Sequence, residues 1–246
     1  MSRRVVLCEG FDDLRVLHEV FERNLRMRVA SPSRRRNERF FTSVAPGAAP
    51  QEVVVVFPAR GGGGEGKSGL PQLMREHLLE SQVDDETDKI GLVFDPDDDS
   101  DEQVRTWLEG SVLAGLNATR QPSGSYRVPS ATRTIEVVPL PWDHLHPFDQ
   151  LPPEKRCCEQ AALAIMQAAA PAEAALVDQM LTLLRAHDPK KATWKAAFRL
   201  WNAVRKPNAE DGFYAQVFGQ DKDLRPHVEP ALKVTGFFAK LESMVT

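Results

Sequence analysis

Val5-Val6-Leu7-Cys8-Glu9-Gly10-Phe11-Asp12-Asp13 begins apolar and ends in acid and glycine, and the same change recurs at Ile90-Gly91-Leu92-Val93-Phe94-Asp95-Pro96-Asp97-Asp98-Asp99. A short aliphatic run without polar alternation reads as a strand buried on both faces, as in parallel sheets covered by helices. An acidic residue directly after such a run stands at the carboxyl edge of the sheet, where open α/β folds bind their ligands. Gly10 permits a tight turn and leaves Glu9 at the strand tip. Asp95 and Asp97 point to the same side if the strand continues through them, because side chains alternate along a strand.

Working outward, Glu52 to Phe57 and Thr134 to Leu140 read as two more strands beside Arg4 to Cys8 and Lys89 to Phe94. Between them the spacing of apolar residues predicts amphipathic helices over Asp12 to Arg26, Leu70 to Glu80 and Asp101 to Leu116. Ser31 to Pro50, rich in Pro, Ser and Arg, and Asn117 to Ser130, with Pro122, Gly124 and Pro129, read as loops. The expected fold is therefore α/β, a Rossmann-like parallel four-stranded sheet flanked by helices over residues 1–150. Past the proline-laden segment Pro139 to Pro153 the strand signal stops. Glu154 to Ala169, Ala172 to Ala186, Lys190 to Arg205 and Leu224 to Leu241 read as helices, giving residues 151–246 as a helical C-terminal region packed on the sheet.

The chain of 246 residues is 42% hydrophobic and 27% charged, with a net charge of −4. That composition excludes wholesale disorder and allows a sizeable core. The longest purely aliphatic run, Val53 to Val56, is far short of the roughly 20 apolar residues of a membrane helix. The basic start reaches Glu9 too soon for the hydrophobic region of a signal peptide. Three cysteines, Cys8 and the adjacent Cys157 and Cys158, give neither a disulfide framework nor metal-ligand spacing. A cytoplasmic protein without membrane association is expected.

Carboxylates from two strand tips converge in this reading. Like charges about 4 Å apart repel by roughly 4 kcal/mol at an effective dielectric near 20, so such a cluster needs a cation or must partly protonate. Oxygen-only ligands favour Mg²⁺ or Mn²⁺. A solvated acidic loop is the competing reading of Asp95 to Asp101, and Asp12 and Asp13 also suit the first turn of a helix. An EF-hand does not fit, since Ser100 stands where the loop needs glycine and Thr106 where it needs glutamate.

This combination, Glu-Gly after one strand and Asp-x-Asp after a later one, resembles the Toprim domain shared by topoisomerases, bacterial primases, small RNA-maturation nucleases and OLD-family nucleases. The Gly-rich turn ending in Lys67 is similar to the Gly-Gly-Lys turn of OLD-like members. The likeness covers about the first 140 residues, and a lone Toprim domain followed by helices looks like the stand-alone Toprim proteins of bacteria and archaea. The resemblance implies a Mg²⁺- or Mn²⁺-dependent nuclease acting on DNA or RNA, alone, as a homo-oligomer or with a partner protein. It implies Asp95 and Asp97 as metal ligands with Asp99 beside them, and Glu9 as metal ligand or general acid/base. Lys67 becomes a phosphate contact, and Gly10, Asp13, Gly64 and Gly66 support the site. OLD-like nucleases also use a Glu and a Lys further on, for which Glu159 and Lys191 are the nearest by position. Pro96 inside the Asp-x-Asp departs from the pattern.

Gly61-Gly62-Gly63-Gly64-Glu65-Gly66-Lys67-Ser68 also satisfies the nucleotide-binding P-loop pattern after a strand, which makes an NTPase the second reading. Pro71 opposes it, because a helix starting at the Gly-Lys step would carry that ring past its first turn. A flexible linker accounts for the glycines equally well, and a catalytically silent nucleic-acid- or protein-binding module is the third reading. Lys191, Lys195, Arg199 and Lys206 fall along one basic stripe of the expected helix from Lys190 to Lys206, a candidate contact for phosphate backbone. Arg34 to Arg36 form a basic tip. His144 and His146, flanked by Asp143 and Asp149, are metal-capable residues in a proline-rich loop.

Overall fold

The computed structural model describes residues 3–25, 27–29, 38–43, 52–57, 66–83, 87–130, 133–143, 145, 148–149, 151, 156–205 and 224–245. One sheet contains β1 (Arg3–Cys8), β2 (Met27–Val29), β3 (Glu38–Ser43), β4 (Glu52–Val56), β5 (Thr87–Phe94), β6 (Thr119–Arg120), β7 (Tyr126–Pro129) and β8 (Thr134–Pro141). Their order is β2-β3-β4-β1-β5-β8-β7-β6. The four strands read from the sequence are the parallel centre, β4, β1, β5 and β8. The sheet is larger than expected, because antiparallel β3 and β2 extend one side and β7 and β6 the other. These additions correct the loop assignments at Ser31 to Pro50 and Asn117 to Ser130. The protein is α/β, with a mixed sheet.

The helices are α1 (Phe11–Glu19), α2 (Leu70–Val83), α3 (Asp101–Trp107), α4 (Cys158–Ala169), α5 (Pro171–His187), α6 (Trp194–Arg205), α7 (Arg225–Lys233) and α8 (Gly236–Val245). Helices α1 and α3 run on into π-helical turns, Val20–Asn24 and Leu108–Val112. The last expected helix is split in two, because the Thr235 hydroxyl accepts the Phe238 N–H at 3.1 Å and caps α8. The expected helix from Lys190 is also broken. Pro189–Lys191 is a separate 3₁₀ turn, and α6 starts anew at Trp194 with the Thr193 hydroxyl accepting from the Ala196 N–H.

Both faces of the central strands are buried, which explains their unbroken aliphatic runs. Val6, Cys8, Val55, Val93 and Leu140 join α1 and the C-terminal helices in one apolar cluster, while Val5, Leu7, Val54, Leu92 and Val137 join α2 and α3 in the other. Helix α1 thus covers the face opposite to α2 and α3. The chain leaves β1 toward β4 and then crosses back to β5, so the winding reverses at the β1/β5 boundary, where such sheets open a crevice at their carboxyl edge. No helix among the described residues is long and apolar enough to cross a membrane.

Gly91 lets α8 lie against the sheet. A β-carbon there would come within 2.7 Å of Met244 Sδ and 2.8 Å of Leu140 Cδ1. Gly91→Val is expected to destabilise the fold by about 1–3 kcal/mol through overpacking, read as a lower urea midpoint. An unchanged midpoint would contradict the close packing of α8 on β5.

Candidate functional site

Two strand tips and one helix start build the site. β1 delivers Glu9 immediately after its last residue, and β5, its parallel neighbour, delivers Asp95 in the same way. The Asp95 N–H donates to Glu9 Oε1 at 3.1 Å, tying the tips together across the switch point. Gly10 is the extended residue before α1, and its N–H donates at 3.0 Å to Asp13 Oδ2 in a capping arrangement. The other Asp13 oxygen accepts the Trp142 indole N–H at 2.7 Å. From the far side, the N–H of Cys158, first residue of α4, donates to Asp95 Oδ1 at 3.0 Å, so a helix N-terminus faces this carboxylate.

Asp13, Asp95 and Cys158 bring one potential ligand atom each within 4.8 Å of one another. Glu159, only 7% exposed, adds its charge to Asp95 and Asp13. Burial, with the Asp13 charge second, pushes the Glu9 carboxyl up to about 8, against the pull of the Asp95 N–H and the Lys67 ammonium. Burial likewise pushes Asp13 up to about 7, opposed by its Trp142 and Gly10 hydrogen bonds. Asp95 is held well above the usual carboxylate range by burial and then by Asp13, Glu159 and Glu9. The Cys158 thiol is pushed up by burial and by Asp95, so it stays neutral and adds no further negative charge to the cluster.

The Asp-x-Asp reading requires one correction. β5 ends at Phe94, so Asp95 and Asp97 do not alternate along a continuing strand. After Pro96 the backbone turns left-handed at Asp97, φ 55°, a region that aspartate enters more readily than most residues. There Asp97 exchanges backbone hydrogen bonds with Arg156, at 3.1 and 3.0 Å. Its charge still reaches Glu9 and raises it. Arg156 clamps the rest of the acidic loop, its guanidinium donating to the Asp99 carbonyl and to Asp101 Oδ1 at 2.8 Å each.

Lys67 lies in a 3₁₀ turn, Gly66–Gly69, with its ammonium 2.6 Å from Asp99 Oδ2 and 4.9 Å above the Trp107 ring. Asp99 is therefore engaged by Lys67, apart from the Glu9–Asp95–Asp13 group. Gly66 has φ +76° and passes so near the strand tip that a β-carbon on it would be 3.9 Å from Glu9 Oε2. Gly64 lies outside the described residues, as do Arg34 to Arg36, His144, His146 and Lys206. Asp143 caps α8, accepting the Phe237 N–H at 2.8 Å. Lys195 and Arg199 are exposed on α6, whereas Lys191 sits in the preceding turn beside Asp188.

Trp142, Arg156 and Cys158 carry no sequence signal for a role here. Cys158 acts through its backbone N–H, and Arg156 through backbone bonds to Asp97 as well as through its guanidinium, contacts that no side-chain spacing encodes. Glu159, suggested only by position, proves to be in the cluster.

No known family profile matches the chain, and no curated protein does. Among solved structures, a hypothetical protein from Pyrococcus horikoshii is similar over 100% of both chains, with a TM-score of 0.67 at 15% identity. At that identity the likeness shows a shared fold.

Proposed function

We propose that this protein is a divalent-metal-dependent phosphodiesterase of Toprim type acting on DNA or RNA, with its reaction centre at Glu9 and Asp95. One observation carries the reading: Glu9, Asp13 and Asp95 crowd together at the joined strand tips with the buried Glu159 acting on Asp13 and Asp95, and the Lys67 ammonium that draws Glu9 down is shared with Asp99. Removing several carboxylates from water without a counter-charge is costly, and a bound cation offsets that cost. Asp95 and Asp13 would be the oxygen ligands of a hard divalent ion; the third group within reach, Cys158, is a neutral thiol, so Glu9 or Asp97 would move in to complete the shell. A bound Mg²⁺ or Mn²⁺ supplies polarisation of the phosphate and a water of lowered pKa. Glu9 takes the proton from the attacking water, its Oε1 oriented by the Asp95 N–H. Lys67, drawn to the crevice rim by Asp99, is the phosphate contact.

The nucleotide-binding reading is the alternative: a 3₁₀ turn starts at Gly66 and runs directly into α2 at Leu70, with Pro71 in the first turn of α2. Incubating the protein with single- and double-stranded DNA and RNA under Mn²⁺, Mg²⁺ or EDTA tests the assignment. Cleavage that EDTA abolishes is expected, and no cleavage of any substrate under either ion would refute it. Lys67→Ala is expected to reduce cleavage less than Glu9→Gln does and to leave ATP binding undetectable throughout. Tight ATP binding lost in Lys67→Ala would replace the phosphodiesterase with an NTPase.

A further inference from the structure

A groove of about 470 Å³ leads away from the acidic loop, with Arg156 and Asp101 at its near end and Lys89 and Glu136 at its far end. It follows the edge of β8. β7 pairs with β8 only from Thr134 to Val137, so among the described residues Val138 to Pro141 have no strand on that side. The register from Lys89–Glu136 to Phe94–Pro141 covers five residue steps, about 17 Å at about 3.3 Å per residue. The Trp142 N–H faces Phe94 of β5, so Pro139 and Pro141 turn their nitrogens outward, and they have no N–H to offer. Strand addition is thereby blocked at this edge.

What the groove offers is positive charge. Lys89, Arg105, Arg120, Arg156 and Lys240 line it against Asp101, Glu136 and Asp143, in a chain whose net charge is −4. Each acid already has a donor: Arg156 for Asp101, the Ser125 hydroxyl at 2.8 Å for Glu136, and the Phe237 N–H for Asp143. Arg120 and Lys240 are exposed and have no ion-pair partner among the described residues. The lining aromatic, Tyr126, is buried and donates its hydroxyl to Glu109, so no ring is presented for stacking on bases.

We propose that this groove is the path along which the phosphate backbone of a nucleic-acid strand reaches the carboxylate crevice. Arg120 and Lys240 are its phosphate contacts, joined by Arg105 when a phosphate draws it from its ion pair with Glu102, and Arg156 is the last cation before the acidic loop. About five nucleotides of a stacked strand, at about 3.4 Å each, match its length. Contacts of this kind are sequence-tolerant. The destination of the strand rests on the phosphodiesterase reading, but the groove is testable without it.

Binding of short fluorescein-labelled single-stranded DNA and RNA is measured by anisotropy in EDTA across a salt series. The variant Arg105→Gln/Arg120→Gln/Lys240→Gln is expected to bind at least about tenfold more weakly and to flatten the log–log salt slope by about two, more than Lys191→Gln/Lys195→Gln/Arg199→Gln does. An unchanged slope in the groove variant, or no binding by the parent protein, overturns the proposal. A slope that falls as expected, in a protein that cleaves nothing under any ion, upholds the groove and removes the phosphodiesterase. Metal-dependent cleavage with an unchanged slope does the reverse.

Discussion

Glu9→Gln is expected to lower metal-dependent cleavage by about 10²–10⁴, the usual contribution of a positioned acid/base group, without lowering the melting temperature of the metal-free protein. The two readouts move apart for a physical reason. The amide oxygen can still accept the Asp95 N–H now held at 3.1 Å, so the link between strand tips survives. The charge that burial and Asp13 disfavour is gone, so the metal-free crevice is relieved rather than weakened. Asp95→Asn is expected to act in the same direction, because its side-chain oxygen can still accept from the Cys158 N–H. Single-turnover cleavage under Mn²⁺ and calorimetric melting in EDTA measure both quantities. Activity retained in both variants would refute the site. Loss of activity accompanied by a melting point lower by several degrees would make Glu9 a structural residue.

The centre of the fold was legible because its strands are buried on both faces, and such strands advertise themselves: Val53 to Val56 has no exposed side and admits no polar residue. The outer strands follow a different rule. Tyr126-Arg127-Val128-Pro129 alternates buried and exposed, a period-2 signal that the neighbouring Gly124 and Pro129 hid among turn residues. Glu38–Ser43 pairs with β4, yet it sits in a stretch whose Pro, Ser and Arg content reads as loop. The site divides along similar lines. Glu9 and Asp95 were legible because strand ends in a parallel sheet have a known place, and the Asp95 N–H, 86 residues away in sequence, bonds to Glu9. The bond from Trp142 to Asp13 spans 129 residues and depends on how the sheet and helices close together, which no local pattern records. Asp97 shows the converse: its spacing from Asp95 argued for a shared side, and Pro96 ends the strand before that rule applies.

Metal-free protein is expected to lose stability as the pH rises from about 5 to about 8, and Mn²⁺ is expected to restore more of it at the upper end. Glu9 and Asp13 are held at about 8 and about 7, above the ordinary 4.5 and 3.8. A carboxyl raised on folding binds its proton more tightly in the folded chain than in the unfolded one. Its contribution is therefore fully present below the ordinary value, is lost as the pH climbs toward the raised value, and is flat beyond it. Each such group supplies a slope of up to about 1.4 kcal/mol per pH unit within that window. Divalent metal competes with those protons, so it binds poorly at about pH 5, where the crevice is neutral, and well at about pH 8, where it is charged. At a hundredfold excess over Kd, binding stabilises the fold by about 2.7 kcal/mol, which for a chain of this length raises Tm by about 5–10 °C. Glu9→Gln removes part of the charge and should flatten both the pH slope in EDTA and the Mn²⁺ shift. Differential scanning calorimetry across pH, with and without Mn²⁺, reads all of these. A metal-induced shift of equal size at both pH values would place the ion on exposed aspartates such as Asp98, outside the buried crevice.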